Sequence, residues 1–193
     1  MQSTETNPRT LYDRTECACR KCTLPCLHMP GALIPEDLMP MMEACLPGRD
    51  AWRVNNDWTA MECWAATYLQ ASEGGKVLVR GNIIKIPTIV PRAGLAGCMF
   101  LDLDNRCSLH EVSPFGCSHF SVCTDSPTWQ RRSMAYQQRV LWEWENNPDG
   151  LYVQLWLFLE EIGNVAEPTA DRRGRFSAAL KQIERKKLRR QRK

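Results

Sequence analysis

Apolar residues recur at helical spacing in several stretches of the chain and at strand spacing in one. From Asn56 to Ala71, Trp58, Met61, Ala65, Tyr68 and Leu69 share one face at intervals of three and four. Gly74-Gly75 is placed to close that helix. Val77 and Val79 then alternate with other residues, Gly81-Asn82 offers a hairpin turn, and Ile83 to Val90 is rich in β-branched residues. Further on, Ser126-Pro127 supplies an N-cap and first-turn proline for a helix to about Asn146, which Asn147-Pro148-Asp149-Gly150 breaks. Leu151, Leu155, Phe158, Leu159 and Ile162 form the apolar stripe of the next helix. Pro35-Glu36-Asp37-Leu38 starts a shorter one, which Pro40 should disturb and Pro47-Gly48 end. After Pro168 a last helix has only a thin apolar edge of Phe176, Leu180, Ile183 and Leu188. Residues 1 to 16 are polar and read as loose.

At 193 residues the chain is long enough to bury a core of its own. Its densest apolar run, Leu155 to Leu159, is far short of the roughly 20 residues that cross a bilayer. The opening MQSTETNPRT has no apolar core of a secretion signal. These features predict a soluble, cytoplasmic protein. Charge is divided unevenly: residues 171–193 carry a net +9, and the rest of the chain a net −6. The tail is thus a candidate surface for nucleic acid or an acidic protein. Seven tryptophans invite a base-stacking reading, but Trp58, Trp142, Trp144 and Trp156 fall in helical stretches and read as core. No internal repeat, Gly-rich phosphate loop or Gly-x-Ser-x-Gly elbow is visible.

The ten cysteines change the picture. Four form Cys17-x-Cys19-x2-Cys22-x3-Cys26, and four more form Cys98-x8-Cys107-x9-Cys117-x5-Cys123. Cys45 and Cys63 stand between the groups in predicted helices, where free cysteine packs as a small hydrophobe. Five disulfides would need an oxidising compartment. In a reducing one, thiols at this density point to metal. Zinc or iron takes thiolates at about 2.3 Å, commonly four around a tetrahedron. Four close thiols serve a zinc ion or an iron–sulfur cluster equally well, so spacing alone leaves the two open. The second group lies in turn-rich sequence. Asp104-Asn105 marks a hairpin carrying Cys98 and Cys107, and Ser113-Pro114-Phe115-Gly116 is a turn that delivers Cys117. His119, His110 and His28 are alternative ligands or ordinary polar residues.

Two blocks carry a resemblance. CACRKCTLPCLHMPGALIPEDL (Cys17 to Leu38) is a cysteine cluster running into a proline-bearing helix start. CMFLDLDNRCSLHEVSPFGCSHF (Cys98 to Phe120) has a cysteine, an aromatic-Leu-Asp hairpin, a second cysteine, a proline turn, and a third cysteine before an aromatic. Together they resemble the zinc- or iron-chelating cysteine-cluster proteins, the YkgJ-like group. That family opens with CxxCxxCC, where this chain has no adjacent pair, and residues 124 to 193 lie outside the likeness. The resemblance implies metal chelation by Cys17, Cys19, Cys22, Cys26, Cys98, Cys107 and Cys117, with Cys123 joining them.

The expectation is a single α+β domain with helices around a short β-hairpin region, organised by a Cys-rich metal centre. A loose N-terminus (1–16) precedes a cysteine-cluster region (17–125), a helical hairpin packed on it (126–165) and a basic helical tail (166–193). Eight thiolates suit two four-cysteine sites, or one cluster plus one zinc. Metal would tie the N-terminal loop to the hairpin and stabilise the folded state. The expected function is metal binding with a structural or sequestering centre. Two alternatives are an iron–sulfur redox or radical enzyme, for which no acid, base or further cofactor motif is visible, and a zinc-stapled nucleic-acid adaptor acting through residues 171–193.

Overall fold

In the computed structural model, residues 7–15, 19–46, 58–79, 81–94, 97–104 and 106–191 are described. The longest non-local pairing is an antiparallel hairpin of β1 (Leu69–Val79) and β2 (Asn82–Pro91), in register from Leu69↔Pro91 to Val79↔Asn82. Gly81 turns the hairpin at φ 82, a conformation that costs glycine nothing. A second, two-residue pair joins β3 (Ala93–Gly94) to β4 (Gly97–Cys98).

The helix expected through Ala71 ends earlier. Helix α3 runs Trp58–Tyr68 and passes directly into β1. Its last carbonyls need partners. Arg92 N donates to Tyr68 O at 2.8 Å, and the Asn164 side-chain amide donates to Ala66 O at 3.0 Å and to Leu69 O, at the start of β1, at 2.7 Å. Beyond that point Ala71 pairs with Val165 in a parallel bridge. Gly74-Gly75, expected to stop a helix, instead lies inside β1 where the register slips between Glu73 and Lys76. A Cβ on Gly74 would sit 2.4 Å from Thr88 Cγ2, so only glycine permits that strand approach.

Three helices build the core around the hairpin. Helix α2 (Leu38–Cys45) follows a 3₁₀ turn at Pro35–Asp37. Pro40 falls in its first turn, where a missing N–H is harmless, so the expected disturbance does not occur. Pro47-Gly48 lies outside the described residues. Helix α5 (Ser126–Asn146) is capped one residue earlier than expected, because the Asp125 carboxylate accepts from Thr128 N at 2.9 Å. Helix α6 (Leu151–Glu161) buries Tyr152, Val153, Leu155 and Leu159, while Ile162, past its end, is exposed. The core joins these to Leu33, Ile34, Leu38, Met41, Ile86 and Ile89. Tyr152 stitches two layers together: its hydroxyl donates to Leu33 O at 2.9 Å and accepts from Ile89 N at 3.1 Å. Trp64 is buried, and Trp144 and Trp156 meet edge to face at 5.4 Å with their indole N–H groups on Pro87 O and Ser72 O.

The fold is α+β, with a small antiparallel hairpin among helices and a cysteine cluster at one side. Of the stretch 1–16 expected to be loose, residues 1–6 and 16 lie outside the described residues, and 7–15 are tied to the fold. Residues 8–10 form a 3₁₀ turn, Arg9 reaches Asp37 Oδ1 at 2.5 Å, and Thr15 N donates to Ser118 O at 2.8 Å. Polar sequence is ordered here because its charges and amides find partners inside the fold. No helix among the described residues is long and apolar enough to cross a membrane.

Candidate metal centre

Helix α1 (Arg20–His28) carries thiols along one side. Cys19 is its N-cap, in an extended conformation, and Cys22 and Cys26 follow three and seven residues on. At 100° per residue those positions share a face. The N-terminal pair meets a third thiol from the far end of the sequence. Cys123 sits in the loop before α5, held by a turn in which Thr124 N donates to Ser121 O at 3.2 Å and the Ser121 and Thr124 hydroxyls lie 2.9 Å apart. The sulfurs are 3.6 Å apart for Cys19–Cys22, and 3.7 Å for Cys19–Cys123 and Cys22–Cys123. A tetrahedral ion with bonds of about 2.3 Å requires sulfurs roughly 3.8 Å apart. The triad therefore has the dimensions of one face of a single-ion tetrahedron. A four-iron cluster, with each thiolate on a different iron, spreads its sulfurs wider. Among the described residues, Cys19, Cys22 and Cys123 are the only such group whose ligand atoms all lie within 4.8 Å of one another.

The triad is also chemically prepared. Cys19 is exposed, yet its thiol is lowered to about 6, chiefly by the backbone N–H of Cys22, with smaller help from the Cys22 side chain, the Lys21 amide and Cys123. A thiolate is the form that binds metal. Cys17, expected as a ligand, lies outside the described residues.

Cys26, Cys98, Cys107 and Cys117 form a second, inner set. Cys98 is buried and the other three are half-buried. Four separate elements deliver them. Cys26 comes from α1, one turn beyond Cys22. Cys98 ends β4, and Gly97 at φ 104 lets that strand touch α1, since a Cβ there would meet Leu27 Cα at 3.0 Å. Cys107 pairs with Leu101 across a tight loop closed by Asp102, whose carboxylate accepts from Asp104 N and Arg106 N at 2.9 and 2.8 Å. Cys117 lies in the four-residue helix α4 (Phe115–Ser118) and accepts from Gly31 N at 3.2 Å. Gly31 and Gly116 touch backbone to backbone, and a Cβ on Gly31 would fall 2.0 Å from the Gly116 carbonyl carbon.

Burial raises all four inner thiols: Cys26 to about 11, Cys98 to about 12, and Cys107 and Cys117 above their ordinary range. Mutual repulsion adds to this, because Cys117 feels Cys26, Cys98 and Cys107, and Cys98 feels Cys26 and Cys107. The four thiols are thus near enough to act on one another's charge, but no three of them have sulfurs all within 4.8 Å of one another. The sequence clusters do not map one to one onto these sets. Cys123 leaves its sequence group for the outer triad, and Cys26 leaves its own for the inner set.

The remaining candidates are placed elsewhere. His119 is buried, stacked on Phe115 at 4.4 Å and hydrogen-bonded to Ser118 Oγ at 2.7 Å. Burial, then Arg9, Arg132 and Arg14, lower its pKa to about 4, so it packs as a neutral ring. His110 lies exposed in a 3₁₀ turn, and His28 ends α1. Cys45 packs against the core beside Trp64, as expected of a small hydrophobe. Cys63 is exposed on α3, which the apolar reading did not anticipate. No disulfide joins any two of the nine described cysteines.

Sequence reasoning also passed over Asp37. Its carboxylate is fully buried and accepts from Ile34 N at 2.9 Å, Phe115 N at 2.7 Å and Arg9 Nε at 2.5 Å. It thereby fixes the start of α4, and with it Cys117, to the turn before α2. An acid beside a proline reads only as a helix start, so no sequence signal announces this longer reach.

No protein-family model matches the chain, and neither does any characterised protein or solved structure.

Proposed function

We propose that this chain is a metal-binding protein with two neighbouring thiolate centres, and that it is a divergent relative of the YkgJ-like cysteine-cluster group. The observation that carries the reading is the outer triad, whose three sulfurs stand at tetrahedral spacing although Cys123 is separated from its partners by a hundred residues. A zinc ion there takes Cys19, Cys22 and Cys123, with Cys17 as fourth ligand from its place two residues before Cys19 in the sequence. The inner set holds the second centre through Cys26, Cys98, Cys107 and Cys117, and its wider spacing admits an iron–sulfur cluster as well as a single ion. Both centres are structural. Four thiolates close the coordination shell of a single ion, leaving no position for substrate. Bound metal would tie α1 to the loops at 98–107 and 119–125. A reducing, cytoplasmic setting suits thiols that hold metal.

The test is elemental. Protein purified without oxygen is analysed for zinc, iron and sulfide, beside Cys19→Ser and Cys107→Ser. Two metal centres, with a different one lost in each variant, are expected. Wild-type protein free of both metals, with its thiols paired, would remove the reading. Iron with matching sulfide that disappears only in Cys107→Ser would assign the cluster to the inner set and reopen redox chemistry there.

A second reading has one observation in its favour. The basic helix α7 (Thr169–Gln191) packs along α1, with Lys21 Nζ 3.0 Å from Glu184 Oε1. The tail therefore lies beside the outer triad, and a nucleic acid or acidic protein drawn to it would meet the metal centre's helix. Deleting residues 181–193 should abolish any salt-sensitive RNA or DNA binding.

A further inference from the structure

Away from the outer triad, a cavity of about 250 Å³ opens between the β1–β2 hairpin, α5 and the start of α7. Its apolar lining includes Met29, Val90, Phe120 and Trp129, and its polar lining includes Ser133, Tyr136, Gln137 and Arg173. The volume is at the small end for ligand sites, which commonly span about 300–1,000 Å³.

Three observations make this a built site rather than a packing fault. First, Tyr136 is 7% exposed and its hydroxyl has no partner in hydrogen-bonding geometry, although the Thr88 hydroxyl lies near enough to act on it. Burial pushes its phenol well above the usual range, with the nearby Thr88 hydroxyl offsetting part of the shift, so it remains an O–H donor at neutral pH. A buried hydroxyl without a partner is unfavourable and calls for an explanation. Second, the cavity is held open by glycine. A Cβ on Gly74 would come within 3.2 Å of the Tyr136 hydroxyl, and one on Gly75 would fall 2.3 Å from Gln137 Nε2. Third, the charges around it favour an anion. Arg172 and Arg173 line one wall, and the one lining carboxylate, Glu73, is already paired with Lys85 at 2.5 Å. Arg172 is itself buried and oriented by its bonds to Ser72 Oγ at 2.7 Å and Glu167 O at 2.8 Å.

We propose that this cavity binds a small organic carboxylate with an apolar body. One carboxylate oxygen accepts from the Tyr136 hydroxyl, the guanidinium of Arg173 at the mouth balances its charge, and the body lies against Phe120 and Trp129. Those two rings already meet edge to face at 5.7 Å, so together they offer a ring face and a ring edge to an aromatic or branched body. The proposal does not depend on either thiolate centre, although Gly31 and Gly116, which hold Cys117, also form part of the lining.

The full chain, as purified, is titrated with acetate, pivalate, benzoate and phenylacetate by ligand-observed NMR and thermal shift. Benzamide supplies the body without the charge, and inorganic phosphate the charge without the body. Saturable binding of benzoate, phenylacetate or pivalate, stronger than either control, is expected. Tyr136→Phe should fold with unchanged or higher Tm, since it removes an unpartnered hydroxyl, yet weaken carboxylate binding about tenfold. Ser133→Trp, which fills the cavity from α5, should abolish binding. The proposal is overturned if no carboxylate binds, if phosphate or benzamide binds as well as its carboxylate counterpart, or if Tyr136→Phe binds as tightly as the unaltered chain.

Discussion

The outer and inner thiol sets share one helix and differ in almost everything else. Cys19 and Cys123 are exposed, and the outer sulfurs already stand within 3.7 Å of one another. The inner thiols come from four elements, and each is raised chiefly by burial, with Cys26, Cys98 and Cys117 raised further by neighbouring thiols. The outer set has its thiolate before any metal arrives. The inner set must lose protons to gain one. If both sets hold metal as proposed, the outer one would take it up with Cys19 already a thiolate, and the inner one would tie together the four elements that deliver its thiols.

The sharpest way to break that comparison is to remove one ligand from each. Cys117→Ser takes away a thiol whose segment is pinned to Gly31 and Asp37, and whose partners are left as crowded, half-buried sulfurs. A loss of several kcal/mol and of one metal equivalent is expected, because binding energy at a folded-only site is folding energy. Cys123→Ser should also lose one equivalent, but with a smaller loss of stability, since it strands no buried thiols beside the lost metal. Equal losses in thermal unfolding of the two loaded variants would erase the distinction.

Asp37 gives the next largest effect. Asp37→Ala leaves two backbone N–H groups and the Arg9 guanidinium without their acceptor. A loss of about 3 kcal/mol is expected in urea unfolding. The inner metal should become easier to chelate, while the outer one is unaffected. A variant that weakened both equally would show that Asp37 supports the fold in general and not Cys117 in particular.

Much of this was legible in the sequence, and the gaps have physical causes. The cysteines, the Asn147-Gly150 break and the β-branched strand Ile83–Val90 are local signals, read from neighbouring residues. The partition of ligands is not local. Cys26 belongs to the inner set because α1 continues one more turn, and Cys123 to the outer because α5 is capped by Asp125 and leaves its preceding loop against α1. Gly74-Gly75 misled in the same way. Two glycines after an amphipathic stretch mark a helix end locally, yet here they serve a strand crossing Thr88 and an open cavity under Tyr136. The Asn164 side chain that helps end α3 comes from more than ninety residues away.

Protonation offers a gentler test. In metal-free protein, Cys19 should react with iodoacetamide along a curve with its midpoint near pH 6 and level by pH 8. Cys26 and Cys98, raised to about 11 and 12, should stay unreactive at pH 8. The stability signs are opposite. A lowered pKa contributes stability above the unfolded value near 9 that is lost as pH falls through about 6. A raised pKa contributes stability below about 9 that is lost as pH rises through 11 to 12. Zinc uptake at pH 7.5 should accordingly release more protons in Cys123→Ser, which retains the inner site, than in Cys117→Ser, which retains the outer. Mass spectrometry of alkylated peptides and proton release in weak buffer check the two halves.

The smallest effect concerns the contact between α1 and α7. Lys21 and Glu184 are both partly exposed, and ion pairs in such positions contribute little to stability. Glu184→Gln should hardly change global unfolding. Its consequence is local: Lys21 sits between Cys19 and Cys22, and its ammonium is raised chiefly by Glu184, with smaller contributions from the charges of Cys123 and Cys19. Once freed from Glu184, that ammonium turns more fully toward the outer thiolates and stabilises their charged form. The Cys19 alkylation curve should then move to slightly lower pH, while the inner thiols keep theirs. A shift in both sets, or one in the opposite direction, would mean that α7 acts on the metal centre through packing of the whole helix rather than through this charge.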